Sequence, residues 1–408
     1  MDLNSPESNS QTTLQENAAR QATPNQIATN PLPSTGDPLP CANPDATTGL
    51  QSSGPNALSA AEAAGHSSQG PTEPFYRNYL FFGAFGLRAL WSLLIYLAIV
   101  GAFVGSLFFL SHQIRQAGEQ AAKAAATRTG KPAPPASAFS FSPNPKQPLP
   151  MAIMITSEVV LFSGFFFFSW LMASIERRPI SVFGLGGERP IARLLTGAFW
   201  GLLAISTLIF TLHGLHLLVF DSRLDRGGSI LFWGLIQLFG FFLVGLSEEY
   251  IFRGYIQFTL TRGLIAVGNL FSARHARAIA FWIASVITSS IFLIAHKPNH
   301  GEDWYGLTLV FLIGLVFVLA LWRTGSLWWG IGFHMAWDWG QSFLYGVPDS
   351  GGLMQGRLFA THALGRPLLS GGTVGPEGSI LCIPVVLLIL PVLYLTHSSP
   401  HPSMEVDA

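Results

Sequence analysis

The chain has 408 residues, 49% of them hydrophobic and only 11% charged, where an average soluble protein carries about 25% charge. The deficit runs through most of its length, which excludes a globular enzyme with a single anchor and marks a polytopic membrane protein. Lys plus Arg equal Asp plus Glu at 22 each, so net charge points to no polyanionic partner and argues against nucleic-acid binding.

Residues 1–74 are rich in Ser, Thr, Pro, Asn, Gln and Ala and nearly free of large apolar side chains. Such a segment buries too little surface to offset its ordering entropy, so a disordered low-complexity tail is expected. Its start has neither a basic region nor an apolar run, so no cleaved signal peptide is expected and the first apolar span serves for insertion. Residues 75–182 hold two spans, about 87–110 and 149–175. Between them lies a long loop, Ala-rich and then Pro-rich, that opens with a short helix. Arg177, Arg178, Arg189 and Arg193 then mark a short cytoplasmic loop by the positive-inside rule.

Residues 183–345 continue with spans at about 194–218, 230–262, 278–295, 305–321 and 327–345, with a polar turn over 221–229. The stretch 230–262 exceeds the roughly 20 residues needed to cross a bilayer, so it tilts or emerges on the side of Arg262, Arg274 and Arg277. Residues 346–408 form a Gly-rich loop and a last span, about 380–395. The expected fold is an all-α polytopic membrane bundle of about eight transmembrane helices. It sits in the cell (inner) membrane with both termini cytoplasmic. Cys41 in the polar tail and Cys382 in the last span make neither a disulfide framework nor a thiolate metal site.

The stretch 241–257, FFLVGLSEEYIFRGYIQ, sets adjacent Glu248 and Glu249, with Arg253 a turn later, inside an apolar run. An ionisable group at bilayer depth costs about 2.5–3.5 kcal/mol on insertion scales and needs a partner. Later spans supply polar groups at matching depth. Phe292 and His296 lie four residues apart, as do His334 and Asp338, and that spacing keeps each pair on one helix face. A carboxylate and two imidazoles in a low-dielectric pocket can polarise a water, with a polar pair left to stabilise an oxyanion. The same set, Glu248, His296 and His334, is also a familiar zinc ligand set with one position open for water. Both chemistries end in amide hydrolysis. Glu248 and Glu249 differ by about 100° around a helix. Glu248 is therefore assigned to the water and the i, i+4 pair Glu249–Arg253 to orienting and neutralising it.

These residues resemble the CAAX-protease and bacteriocin-processing (CPBP, or Abi) family of intramembrane endopeptidases. That family is marked by EExxxR, FxxxH and HxxxN or HxxxD on successive membrane helices. Here the motifs read Glu248-Glu249 to Arg253, Phe292 to His296 and His334 to Asp338, within a catalytic core over 183–345. The resemblance implies that Glu248 and His296 activate a water while His334 and Asp338 stabilise the oxyanion. The catalytic set is then Glu248, Glu249, Arg253, His296, His334 and Asp338, with Phe292 a wall of the substrate pocket. Where Asn is common in the family this chain has Asp338, and an ionised Asp opposes an oxyanion unless it is protonated or bound to a metal. If a metal is used, Zn2+ is the expected ion, on Glu248, His296 and His334. The expected substrate is a membrane-associated peptide or protein of CAAX or bacteriocin type, met in or beside the lipid bilayer.

Plainer readings stand beside this one. Glu248, Glu249 and Arg253 can be an ion-pair cluster that fixes helix packing, but such a cluster leaves the two histidines unexplained. Intramembrane Glu, His and Asp also serve proton- or ion-coupled transporters, although no inverted repeat or pair of broken helices is visible. Glu158, in the second span, is the leftover carboxylate.

Overall fold

A computed structural model describes residues 81–83, 86–130 and 148–397. The expected tail over 1–74 and the Pro-rich part of the first loop, 131–147, lie outside the described residues. Two-residue strands β1 (Phe82–Gly83) and β2 (Gly86–Leu87) pair just before the first helix.

Helix α1 (Ala89–Thr129) is 41 residues long. It continues past the expected end of the first span through QAGEQAAKAAATRT, so the short helix expected to open the loop is an unbroken extension of the span. Ala, Gln, Glu and Lys are strong helix formers, and the helix stops only at Gly130, in the left-handed conformation. Helices α2 (Met151–Ile175) and α3 (Pro190–Gly214) follow, the latter with Pro at its first position, where the lost N–H has no intrahelical partner.

A continuous apolar rod of 44 residues comes next, Gly228–Phe271. It is α4 (Gly228–Glu248), a π-helical stretch Glu249–Ile256, and α5 (Gln257–Phe271). Then come α6 (Ala276–His296), α7 (Trp304–Thr324) and α8 (Trp328–Trp339), which passes into a second π-helical turn, Gly340–Leu344. A short α9 (Pro367–Ser370) and α10 (Cys382–Thr396) complete the set.

Among the described residues six helical segments are long and apolar enough to cross a membrane: α1, α2, α3, the α4–α5 rod, α6 and α7. The molecule is a multi-pass membrane protein. The seventh and eighth expected spans are present as α8 and α10, at 12 and 15 residues. Helix α8 is sheathed by protein, with Trp329, Ile331 and Phe333 all buried, so its length need not match a lipid thickness.

Two segments read as turn and loop contain a strand each. β3 (Leu218–Arg223) pairs antiparallel with β4 (Phe359–Ala363), from Leu218 opposite Ala363 to Arg223 opposite Phe359, with a register shift between Phe220 and Ser222. This ribbon ties the segment after α8 to the end of α3.

The packing that positions the site is backbone on backbone. Helix α3 lies along α8, and glycines make the contact. A Cβ on Gly197 would stand 2.0 Å from the Trp329 carbonyl oxygen, and one on Gly332 would stand 2.0 Å from that of Leu194. Small residues permit this approach in a bilayer, where no hydrophobic force pulls helices together. Helix α8 is thereby held between α3 and α4, with α2, α6 and α7 closing the ring around its polar face.

Candidate active site

Glu248 is the last residue of α4, and the π-helical stretch starts at Glu249. The wider π turn is a rare conformation, found mostly at functional sites. Glu249 and Arg253 form an ion pair at 3.2 Å, each side chain 1% exposed. The Arg253 guanidinium also lies 4.0 Å from the Phe292 ring centre and 5.2 Å from that of Phe317. Those two rings carry the histidines. Phe292 is 4.3 Å from the His296 ring, and Phe317 stacks on His334 at 5.3 Å and 23°. One buried cation thus supports both imidazoles through aromatic faces.

His296 ends α6, and its Nδ1–H donates to the Phe292 carbonyl oxygen at 2.8 Å. That bond leaves Nε2 as an acceptor, 4.0 Å from Glu248 Oε2. His334, on α8, has Nδ1 3.4 Å from Glu249 Oε1 and Nε2 3.8 Å from Glu248 Oε2. Asp338 Oδ2 is 3.5 Å from the same Nε2. Glu248, His296, His334 and Asp338, drawn from three helices, therefore converge. Glu248 and Glu249 both reach His334, from opposite nitrogens. Glu248 lines a cavity, whereas Glu249 is buried behind the ring.

The cavity measures about 400 Å³. Glu248, His296, His334 and Asp338 line it, Phe292 forms part of its wall, and Phe241, Leu309 and Ile313 add apolar surface. Glu158 of α2, left over in the sequence reading, lines it as well. Three further carboxylates escaped that reading: Glu302 before α7, Asp349 after α8 and Glu377 before α10. Each sits in a polar loop with no periodic signal, and only the tertiary fold brings them to His296. Burial, with Glu377 and then Asp303 close by, pushes the Glu302 carboxyl up to about 7. Burial also raises Glu377, and burial with Glu377 nearby raises Asp349 well above the carboxylate range.

The donors do not close into a metal site. Among the described residues no group of three or more His, Cys, Asp or Glu is placed to hold a metal ion. The 3.8–4.0 Å gaps around Glu248 Oε2 exceed a direct hydrogen bond, and such gaps are what a bridging water spans.

The fold and site define a class: a multi-pass helical membrane protein with a carboxylate–histidine cluster enclosed at the core of its bundle. Residues 229–340 match the family model described as Rce1-like, type II CAAX prenyl endopeptidase Rce1-like. The matched stretch contains all three motifs, so over those residues the chain is similar to the CAAX-type intramembrane proteases. The transporter alternative gains no support from the match. No curated protein and no solved structure matches the chain.

Proposed function

We propose that this protein hydrolyses a peptide bond of a membrane-associated substrate on a water held between Glu248 and His296, without a metal. One observation carries the reading. Glu248 Oε2 is buried with no hydrogen-bond partner, yet faces His296 Nε2 at 4.0 Å and His334 Nε2 at 3.8 Å on the wall of the cavity. A water between these groups gives one proton to Glu248 and directs the other at the His296 acceptor nitrogen. Its free lone pair then attacks the scissile carbonyl carbon. As the carbon–oxygen bond forms, the carbonyl becomes an oxyanion, which accepts a hydrogen bond from His334 Nε2–H. The other ring nitrogen, Nδ1, keeps its proton and faces the Glu249 carboxylate, 3.4 Å away, whose charge offsets that of the ring. When the intermediate collapses, the C–N bond breaks and the leaving amine takes the proton from Glu248. Preorganised donors of this kind contribute about 10²–10³ in kcat each, and positioned general bases typically 10²–10⁴.

Asp338, 3.5 Å from His334 Nε2, orients that ring. Arg253 and Glu249 form the buried base on which it rests. A substrate of the CAAX class, lipidated near its C-terminus, and a bacteriocin-type leader peptide both fit a protease whose water lies inside the bundle. The deciding assay uses purified protein in zwitterionic micelles with fluorogenic hydrophobic and prenylated peptides. Glu248→Gln removes the base while conserving shape, so turnover is lost in a folded protein. Undiminished cleavage by that variant rejects the reading.

A further inference from the structure

The cavity is lined by Glu158, Glu248, Glu302, Asp338, Asp349 and Glu377, while no Lys or Arg side chain contributes to its described wall. Only Glu248 and Asp338 of these belong to the motifs. Glu158, Asp349 and Glu377 come from segments outside the matched stretch 229–340. Each is delivered by a different element, so the carboxyl-rich lining is built by the fold and not by one local run.

Several of these acceptors lack donors. The Asp338 side chain is 9% exposed, and its only ion-pair neighbour among the described residues is the His334 ring at 3.5 Å. Glu302 Oε1 is buried with no hydrogen-bond partner, as is Glu248 Oε2. Glu302 is held deliberately close. Gly306 leaves room for it, since a Cβ there would stand 2.0 Å from Oε1. The Glu377 carboxylate is aimed by a hydrogen bond from the Ser350 backbone N–H. Asp349 accepts from the Ser342 hydroxyl at 3.3 Å. Buried acceptors left without donors cost free energy until a donor arrives.

We infer that this cavity selects a peptide with a lysine or arginine side chain next to the scissile bond, and that Glu302 and Glu377 set this preference. The inference rests on the hydrolysis proposed above. A cationic side chain brings positive charge and N–H donors to a carboxyl-rich wall on which Glu302 Oε1 and Glu248 Oε2 have no donor. Complementary charge governs specificity in this way more than raw affinity.

The test uses matched quenched peptides with Lys, norleucine or Glu beside the scissile bond, and uncleavable reduced-amide versions read by fluorescence anisotropy. Wild-type protein in zwitterionic detergent should cut the Lys peptide about tenfold better than the norleucine one, and bind it tighter by a similar factor. Glu302→Gln with Glu377→Gln should collapse that ratio toward one. Glu302→Lys should shift the preference toward the Glu peptide, an inversion that general loosening of the fold does not produce. Equal cutting and equal binding of the Lys and norleucine peptides overturn the inference while leaving hydrolysis standing. Tighter Lys binding with no cleavage of any peptide upholds the cavity's charge selectivity and rejects the hydrolysis.

Discussion

Glu249 Oε1 stands 3.4 Å from His334 Nδ1, on the side of the ring away from the cavity, and is itself paired with Arg253 at 3.2 Å. The two adjacent glutamates therefore divide their work around one imidazole. The π-helical turn beginning at Glu249 sets their directions. Breaking this arrangement is expected to unfold before it inactivates. Arg253→Ala leaves the buried Glu249 charge with only the His334 ring beside it, a loss of about 3–5 kcal/mol, read as a large drop in thermal or denaturant midpoint in micelles. The double change Glu249→Gln with Arg253→Met removes both charges and should recover much of that stability. It should not recover turnover, because His334 Nδ1 then faces a neutral amide in place of the carboxylate charge.

Asp338 gives a sharper functional test. Asn at this position keeps the shape and brings an N–H donor into the cavity, where Asp brings a second negative charge near the oxyanion. Asp338→Asn should retain activity within a fewfold. Asp338→Leu leaves the His334 Nε2 side without its polar neighbour and should lower kcat by about 10²–10³, the scale of one lost oxyanion contact. Single-turnover kinetics on a fluorogenic peptide separates the two outcomes. A dead Asn variant with an active Leu variant would reverse the assignment.

The helices and the motif residues were legible in the sequence because both signals are local. Apolar runs of spanning length write themselves into composition, and i, i+4 spacing puts His334 with Asp338 and Phe292 with His296 on common faces. What stayed hidden was long-range or irregular. The continuation of α1 to Thr129 follows from helix propensity in a polar stretch read as a loop that opens with a short helix. The pairing of β3 with β4 joins residues about 140 positions apart, through short strands set among turn formers. The carboxylates Glu302, Asp349 and Glu377 lie in three loops, and nothing in any one loop says that it meets the others beside His296.

The α3–α8 contact makes a stability prediction with an internal control. Gly332→Val forces side-chain atoms into the Leu194 carbonyl, and Gly201→Val does the same at Phe333, where a Cβ would stand 2.3 Å from the oxygen. Backbone cannot move aside as a side chain can, so each should cost at least the 1–3 kcal/mol typical of overpacking and displace His334 and Asp338. Gly101→Ala on α1, where a Cβ meets nothing within 4 Å, should be neutral or stabilising by up to about 1 kcal/mol through helix propensity. Thermal unfolding of the three variants in one detergent makes the comparison.

The carboxylate lining also predicts how recognition changes with pH. Glu302 titrates at about 7, raised by burial and then by Glu377 and Asp303, with His296 and Asp349 on the same cavity wall. Below that pH its carboxyl is protonated and neutral; above it the group is an anion. A cationic side chain binds the anion better, so affinity for the Lys reduced-amide peptide should rise as pH increases through about 7. By linkage, binding should release a fraction of a proton near neutrality. The norleucine peptide should show a much smaller rise, since it gains nothing from the added charge. Glu302→Gln should flatten the difference between the two peptides, which separates Glu302 from the other raised carboxyls of the cavity, Glu377 and Asp349. Anisotropy titrations across neutrality, in wild-type and Glu302→Gln protein, provide the measurement. Identical pH profiles for the two peptides in wild-type protein would remove Glu302 from substrate recognition.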